Sequence, residues 1–153
     1  MLAPSDDFGL SEEQLGAVRM ALTTKGSILT GGPGTGKTTT VRALIGALEA
    51  AGRSYALASP TGRAAKRLSE ATGRTATTLH RLLGFSPDGS FAYDENETLK
   101  VDMLVVDEAS MLDLLLANHL LKALDPRAHL LLVGDVDQLP SVGAGDVLRD
   151  VID

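Results

Sequence analysis

Residues 31–38 form the segment of this chain with the clearest chemical potential. Their sequence, GGPGTGKT, satisfies the pattern G-x-x-x-x-G-K-[ST] in full. The glycines allow the backbone to curl so that successive N–H groups point at one anion. Lys37 then supplies a point cation for the outer phosphates of a nucleotide, and the Thr38 hydroxyl can ligate Mg²⁺. The segment therefore predicts a binding site for a nucleoside triphosphate and Mg²⁺.

Two adjacent carboxylates, Asp107 and Glu108, follow the apolar run at 104–106. In an open α/β sheet, ligands bind beyond the carboxyl ends of the strands. The first carboxylate can hold Mg²⁺, and the second can orient and deprotonate an attacking water molecule. A single acidic residue would suit an enzyme that transfers a phosphate and excludes water. The pair therefore favours hydrolysis.

Gln138 follows another apolar run, 130–133, within the segment GDVDQLP at 134–140. Its side-chain amide is both a donor and an acceptor, so it could contact the γ-phosphate and the attacking water together. A residue of this kind can report whether the γ-phosphate is present. Gln138 is a candidate catalytic residue because it lies beyond the end of a third predicted strand.

The elements that position these residues are indicated by alternating patterns along the chain. Four short apolar runs are continuous, as in strands buried on both faces of a parallel sheet. They occupy 28–29, 55–58, 103–106 and 130–133. Helical patterns lie before and between these runs. The first begins at Ser11 and has the apolar stripe Leu15, Val18 and Leu22, and the second runs from Val41 to a stop at Gly52. The others occupy 62–71, 78–83 and 111–124. This alternation predicts an α/β fold with an open, mostly parallel sheet and helices on both faces.

The segment 84–100 interrupts this pattern because it is polar and carries the turn sequence PDGS between Phe85 and Phe91. It predicts two short strands in a small hairpin that projects from the sheet. Phe85, Phe91 and Tyr93 could stack on nucleic-acid bases, or they could hold the hairpin against the domain.

Composition narrows the class of protein. The chain has 153 residues, the size of one domain, and no cysteine, which excludes a disulfide scaffold, a cysteine zinc site and a cysteine nucleophile. No apolar run reaches the roughly 18 residues that a membrane span needs. The acidic N-terminus lacks a signal-peptide pattern. We therefore expect a cytoplasmic domain with no membrane partner.

Charge is unevenly distributed along the chain. The net charge is −6, yet residues 52–81 carry six basic residues and one acidic residue. Residues 82–153 carry four basic and fourteen acidic residues. The basic window is either a solvated helix face or a surface for nucleic-acid phosphates.

Taken together, these segments resemble the first motor domain of superfamily-one DNA helicases, in particular the RecD-like branch, which moves 5′ to 3′ on single-stranded DNA. The resemblance covers about residues 10–151. Its motifs, in order, are LSEEQ at 10–14, GGPGTGKT at 31–38, SPTGRAA at 59–65, TLHRLLG at 78–84, VDEASM at 106–111 and GDVDQLP at 134–140. The last motif and the PTGRAA stretch are far more specific than the phosphate loop.

The resemblance implies a RecA-like P-loop NTPase fold, with the fourth predicted strand between the first and the third, and ATP and Mg²⁺ as cofactors. The nucleotide-binding residues it implies are Gln14, Gly32, Pro33, Gly34, Thr35, Gly36, Lys37, Thr38 and Thr39. The catalytic residues are Lys37, Asp107, Glu108 and Gln138, and the metal ligands are Thr38 and Asp107. The DNA-binding residues are Pro60, Thr61, Arg63, Lys66, His80 and Arg81, with Arg67 as a further candidate. Gln14 could recognise the adenine edge, cap its helix, or do both.

The resemblance also implies that the chain is one half of a motor. Such helicases bind ATP and DNA between two RecA-like domains, and the second domain supplies arginines to the γ-phosphate. An arginine finger is worth roughly 10³–10⁵ in rate, so the isolated chain is expected to hydrolyse ATP slowly. The expected partners are single-stranded DNA, the second domain of the parent chain, and subunits of a nuclease complex or other DNA repair and recombination proteins. Ser141 stands where many of these helicases have a second proline.

Two alternatives stay open from the sequence alone. The chain could be a RecA-like ATPase that acts as a switch or loader on protein partners, which would not require the basic window. It could also be the helicase domain of a conjugative relaxase, which resembles the RecD-like branch. A small-molecule kinase is disfavoured by Asp107, Glu108 and the 134–140 segment.

Overall fold

The computed structural model describes residues 12–30 and 37–134. In chain order the elements are α1 (Glu12–Thr23), β1 (Gly26–Thr30), α2 (Lys37–Ala50), β2 (Tyr55–Ser59), α3 (Gly62–Thr72), β3 (Thr77–Thr78), α4 (Leu79–Leu82), β4 (Met103–Val106), a 3₁₀ turn (Ala109–Met111), α5 (Leu114–Ala123) and β5 (His129–Gly134). None of the helices described is both long and apolar enough to cross a lipid bilayer.

The five strands form one parallel sheet in the order β1-β5-β4-β2-β3. The fourth predicted strand, β5, therefore lies between the first, β1, and the third, β4, as expected. Leu104 of β4 is in register with Leu130 of β5 on one side and Ala56 of β2 on the other. Because the strands are parallel, the segments that follow β1, β4 and β5 all begin at the same edge of the sheet.

Each face of the sheet is covered by its own hydrophobic core. Leu104 and Val106 belong to one core, and their neighbours Met103 and Val105 belong to the other. On the first face α4 and α5 contribute Leu79, Leu116, Ala117 and Leu120. On the second face α1, α2 and α3 contribute Val18, Ala21, Val41, Leu44, Ile45, Leu48 and Leu68. Burial on both faces explains the continuous apolar runs and confirms the predicted helices on both faces.

Two predicted elements begin elsewhere than the sequence pattern suggests. Helix α5 begins at Leu114 rather than at residue 111, because the Asp113 side chain caps it by accepting a hydrogen bond from the Leu116 N–H at 2.7 Å.

The strand β3 was not predicted at all, since two threonines form no apolar run. Thr78 then caps α4, which begins one residue later than predicted.

The segment 84–100 forms only one antiparallel bridge, between Phe85 and Phe91, instead of two short strands. The carboxylates of Asp88 and Asp94 accept hydrogen bonds from nearby backbone N–H groups, at 3.0 Å from Ser90 and 2.8 Å from Asn96. Such local bonds favour turns over an extended ladder. The segment is therefore a loop with one internal bridge, and a second, parallel bridge joins Leu99 to Leu124 at the end of α5.

Gly84 joins this loop to the domain in a backbone conformation that residues with a side chain rarely adopt. Its φ is +70°, and a Cβ added there would lie 2.5 Å from the Cβ of Ala92. We expect Gly84→Ala to lose about 1–2 kcal/mol of unfolding free energy from backbone strain. Overpacking against Ala92 is expected to remove about 1–3 kcal/mol more.

Gly89 in the same loop provides a matched control for Gly84→Ala. Its φ is +88°, but an added Cβ would meet no atom within 4 Å. Gly89→Ala should therefore show the backbone cost alone. Urea unfolding of both variants measures the difference, and equal losses would contradict the close contact between Gly84 and Ala92.

Candidate active site

A cavity of about 230 Å³ lies at the edge of the sheet where β4 ends. Three elements contribute polar side chains to it: the first turn of α2, the exposed side of α3 and the residues that follow β4. These side chains are Lys37, Thr38, Arg67, Asp107 and Glu108. The parallel sheet thus brings together the predicted catalytic and metal-binding residues Lys37, Thr38, Asp107 and Glu108. Arg67, which was predicted to contact DNA, also lines this cavity.

Lys37 and Thr38 are the first two residues of α2. The helix is fixed against the sheet by its buried face, including Val41 and Leu44, so its first turn has a defined place at the cavity. Burial raises the pKa of the Asp107 carboxyl, and the positive charge of Lys37 is one of the influences that oppose this rise. Lys37 thus lies near Asp107 at the cavity, and its role in phosphate binding stays a prediction.

Asp107 is half-buried at the end of β4 and is held by its own backbone. Its N–H donates to the Ala58 carbonyl at 2.9 Å, and its Oδ1 accepts from the Glu108 N–H at 2.9 Å. Burial raises the pKa of Asp107 above its ordinary value, and the neighbouring Glu108 charge adds to this. The backbone bond from Glu108 and the charges of Lys37 and Arg67 act in the opposite direction but do not cancel the effect of burial.

The oxygen atoms at this cavity suit Mg²⁺. Thr38 offers a hydroxyl and Asp107 a carboxylate, and hard cations prefer oxygen ligands. Within the described ranges, no three His, Cys, Asp or Glu side chains are grouped as a metal cage. Mg²⁺ usually binds one or two protein oxygens and takes its other ligands from water and substrate phosphates.

Glu108 has an unusual backbone conformation, with φ 55° and ψ 43°. Among the described residues it is the only one other than glycine with a positive φ. The left-handed conformation costs a non-glycine residue about 1–2 kcal/mol, and such strain often occurs at functional sites. The Glu108 carbonyl accepts from the Met111 N–H at 2.9 Å, which closes the turn after the strand.

Arg67 is the cavity residue that sequence reasoning placed elsewhere. Its Nη2 lies 3.4 Å from Oε1 of Glu108, so α3 reaches the active-site carboxylate directly. The sequence grouped Arg67 with the candidate DNA contacts because it belongs to the basic window. The sequence does show that Arg67 lies four residues after Arg63 and therefore on the same side of the helix. That spacing does not show which turn of the helix meets the cavity.

The basic window divides into engaged and unengaged side chains. Arg74 makes two bonds of 2.8 Å to the carboxylate of Glu49, and the Tyr55 hydroxyl donates to the same carboxylate at 2.7 Å. These bonds, first from Arg74 and then from Tyr55, lower the pKa of Glu49 to about 2. In the described part of the chain, the exposed side chains without an ion pair include Arg63, Lys66 and Arg81.

The residues predicted to bind DNA lie beyond the ends of β2 and β3. Ser59 and Thr78 are paired in the sheet, so residues 60–63 begin beside α4. The Thr61 side chain caps α3 by accepting from the Ala64 N–H at 3.2 Å. The His80 ring packs edge-on against Phe85, with 5.2 Å between ring centroids. Pro60, Arg63, Lys66 and Arg81 complete this part of the surface, which stays a prediction as a DNA-binding site.

The aromatic side chains of 84–100 hold the loop to the domain. Phe91 and Tyr93 pack against the core of the first face, and the Phe91 ring lies 4.3 Å from that of His119 on α5. Phe85 is 48% exposed and also contacts Phe91. Phe91 and Tyr93 thus have a packing role, whereas Phe85 contacts the rings of His80 and Phe91 and remains partly exposed.

Other predicted site residues lie away from the cavity or outside the described residues. Gln14 is half-buried on α1, and Thr39 is half-buried on α2. Neither lines the cavity formed by the described residues. The nucleotide-binding residues Gly32, Pro33, Gly34, Thr35 and Gly36 and the catalytic candidate Gln138 lie outside the described residues.

Comparison with known proteins gives the chain clear relatives. A family model described as an AAA domain matches residues 14–144. The chain is 50% identical over 137 residues to the ATP-dependent RecD2 DNA helicase of Deinococcus radiodurans, covering 90% of this chain and 19% of that protein. It is 47% identical over 167 residues to the RecBCD enzyme subunit RecD of Mycolicibacterium smegmatis, covering 93% of this chain and 30% of that protein. These relatives confirm the resemblance to RecD-like helicases, and the chain spans less than a third of their length.

Solved structures confirm the predicted fold. The Pif1 helicase from Candida albicans superposes with a TM-score of 0.70 and 25% identity, over 94% of this chain and 38% of that chain. The Hef helicase domain of Pyrococcus furiosus superposes with a TM-score of 0.60 and 14% identity, over 99% of this chain and 38% of that chain. The second likeness is one of fold alone.

Proposed function

Because the chain belongs to the AAA domain family, we propose that it is the ATP-binding half of a RecD-like DNA helicase motor. The observation that carries the proposal is the cavity shared by Lys37, Thr38, Asp107 and Glu108. The whole motor would use ATP hydrolysis to move 5′ to 3′ along single-stranded DNA. The RecD2 and RecD relatives support this function, and the chain spans only part of their length.

The nucleotide would bind along the first turn of α2. Backbone N–H groups of 31–36 and the Lys37 ammonium would hold the phosphates, and Gln14 and Thr39 would complete the nucleotide contacts. Thr38 and Asp107 would hold Mg²⁺, which neutralises the charge that develops on the phosphates.

Glu108 would act as the general base. Its carboxylate would take a proton from a water molecule as that water attacks the γ-phosphorus and the bond to ADP breaks. Gln138 would contact both the γ-phosphate and this water. Gly134, the last described residue, ends β5 beside the turn that follows Glu108, since a Cβ added at Gly134 would lie 3.7 Å from the backbone nitrogens of Ala109 and Ser110.

DNA would bind across the exposed side of α3 and α4. Arg63, Lys66 and Arg81 are exposed there and would contact phosphates, whereas Pro60, Thr61 and His80 would position the strand. Arg74 is engaged with Glu49, so we do not assign it a DNA phosphate. These basic side chains lie in a chain with a net charge of −6, which favours this face for the DNA path.

The proposal also includes partners of the parent polypeptide. A second RecA-like domain would close over the cavity and supply arginines to the γ-phosphate. A role in the cytoplasm, in DNA repair or recombination, alone or inside a nuclease complex, would follow from the RecBCD subunits among the relatives.

The test compares ATP hydrolysis by the longest natural form of this polypeptide with and without single-stranded DNA. Strong stimulation is expected. In the double variant Arg63→Ala/Lys66→Ala, loss of two phosphate contacts should reduce the slope of log affinity against log salt by about 1.4, since each contact on a single strand contributes about 0.7.

Lys122→Ala/Arg127→Ala is the matched control because it removes the same charge from exposed positions outside the basic window. Its salt slope should equal that of the unmodified protein. Equal slopes for both double variants, together with DNA-independent hydrolysis, would favour an ATPase switch that acts on protein partners.

A further inference from the structure

We infer that Arg74 is a positioning residue: its ion pair with Glu49 joins the ends of α2 and α3, so that movement of α3 on binding DNA changes the width of the nucleotide cavity between the two helices. The inference rests on the proposed function, which puts the phosphates on α2 and DNA on α3. It goes beyond that function by naming the contact through which each ligand affects the binding of the other. It also gives a role to Arg74, the basic-window residue to which no DNA phosphate is assigned.

The Arg74/Glu49 ion pair is a fork of two bonds within a small network. The Arg74 Nε and Nη2 atoms each lie 2.8 Å from one oxygen of the Glu49 carboxylate, and the Tyr55 hydroxyl donates to that carboxylate at 2.7 Å. A single exposed ion pair contributes little, but two parallel bonds fix both distance and orientation. The bonds from Arg74, and after them the bond from Tyr55, lower the pKa of Glu49 to about 2. The carboxylate is therefore charged in any buffer near neutral pH.

This ion pair lies at the opposite end of both helices from the proposed ligands. Helices α2 and α3 each follow a strand of the parallel sheet, so both begin at its carboxyl edge and end at its amino edge. Glu49 lies about 18 Å along the axis of α2 from Lys37, given a rise of about 1.5 Å per residue. Arg74 follows Gly73, the left-handed cap of α3, and its backbone N–H donates to the Thr72 hydroxyl at 3.3 Å. The guanidinium is therefore attached to the end of α3.

Nearer the carboxyl edge, the cavity itself lies between the two helices. Its apolar lining includes Val41 of α2, Leu68 and Ala71 of α3, and Val105 of β4. Close-packed interiors yield little, so this gap of about 230 Å³ is where α3 has room to approach or leave α2. With the ion pair intact, movement of α3 relative to α2 is a swing about their joined ends, and it widens or narrows the cavity. Without the ion pair, α3 can also slide along the sheet, and less of a movement at its DNA-binding end reaches the cavity.

The test measures how the two ligands affect each other on the longest natural form of the polypeptide. Affinity for a fluorescent, non-hydrolysable ATP analogue is measured without and with saturating single-stranded DNA, and the ratio of the two affinities is the coupling. We expect Arg74→Gln and Glu49→Gln each to bring this ratio about fivefold closer to one. Affinity for the analogue alone should be unchanged, because neither residue lines the cavity. Affinity for DNA alone should also be unchanged, because neither residue is a proposed DNA contact.

The two single variants remove opposite charges, which separates the ion pair from a simple effect of charge on DNA. If Arg74 acted only as a cation beside DNA, Arg74→Gln would weaken DNA binding and Glu49→Gln would strengthen it, and this result would overturn the inference. The exchange Arg74→Glu/Glu49→Arg rebuilds the ion pair with its charges reversed and should restore part of the coupling. Lys100→Gln is the matched control, because Lys100 is exposed and pairs with Asp125 at 3.8 Å outside α2 and α3. It should keep the coupling of the unmodified protein.

Thermal unfolding of the same variants separates positioning from stability. A lower melting temperature with unchanged coupling would overturn the inference, because the ion pair would then only stabilise the fold. If single-stranded DNA neither binds the unmodified protein nor stimulates its hydrolysis, the proposed DNA motor itself fails. If DNA stimulates hydrolysis and the coupling is absent from the unmodified protein, or equal in it and in Arg74→Gln, the motor stands and only the role of Arg74 fails.

Discussion

Replacement of Glu108 by Gln is expected to lower DNA-stimulated ATP hydrolysis by about 10²–10⁴-fold, the range typical of a lost general base. The amide has nearly the shape of the carboxylate but cannot accept the proton of the attacking water. Lys37, Thr38 and Asp107 are unchanged in this variant, so ATP binding should be retained. Single-turnover hydrolysis and binding of a fluorescent ATP analogue, measured on the same preparation, separate the two effects.

Glu70→Gln is the matched control for the loss of one carboxylate. Glu70 is exposed on α3 and lies outside the cavity. Hydrolysis by this variant should equal that of the unmodified protein. A Glu108→Gln variant that hydrolyses ATP at the unmodified rate would remove Glu108 from the role of general base, whatever its effect on DNA binding.

The parts of this site that could be predicted from the sequence are those that depend on strand ends. A continuous apolar run such as 103–106 is buried on both faces, so its end has a fixed place at the edge of the sheet. Asp107 and Glu108 follow it directly, and Lys37 opens the helix that follows β1. Parallel strands with adjacent carboxyl ends then bring these residues together, because the topology leaves no other edge for them.

The parts that could not be predicted depend on how elements are rotated or on bonds that are local and polar. Arg67 meets Glu108 because Ala64, Ala65 and Leu68 set the rotation of α3, and a basic helical pattern does not show that rotation. The strand β3 is two threonines that pair with β2 only in the folded sheet.

The boundary of α5 depended on a similar local bond. The cap from Asp113 overrides the apolar pattern that begins at residue 111, because it satisfies a helical N–H group that would otherwise lack a partner. The apolar residues 114 and 115, which the pattern would bury, are 60% and 69% exposed. The periodicity of apolar residues was therefore a poor guide to this helix's first turn.

Replacement of Lys37 by Ala is expected to abolish tight ATP binding and to lower hydrolysis by at least about 10²–10³-fold, the effect of removing one group that stabilises transition-state charge. The cavity holds two carboxylates, and Lys37 and Arg67 are its cations among the described residues. Without Lys37 the anionic phosphates would face Asp107 and Glu108 with Arg67 alone to offset them. Burial already raises the pKa of Asp107, and loss of the opposing Lys37 charge would raise that pKa further.

Lys25→Ala is the control for the loss of one lysine, since Lys25 is exposed in the turn before β1 and does not line the cavity. It should bind ATP normally. DNA binding by Lys37→Ala should persist in the absence of nucleotide, because the basic side chains of α3 and α4 do not depend on Lys37. Retained DNA binding would show that the variant is folded and has lost only the nucleotide site. Glu108→Gln binds ATP without hydrolysing it, whereas Lys37→Ala should do neither. If Lys37→Ala bound and hydrolysed ATP as the unmodified protein does, the cavity at the end of β4 would not be the nucleotide site, and the roles given to Thr38, Asp107 and Glu108 would fail with it.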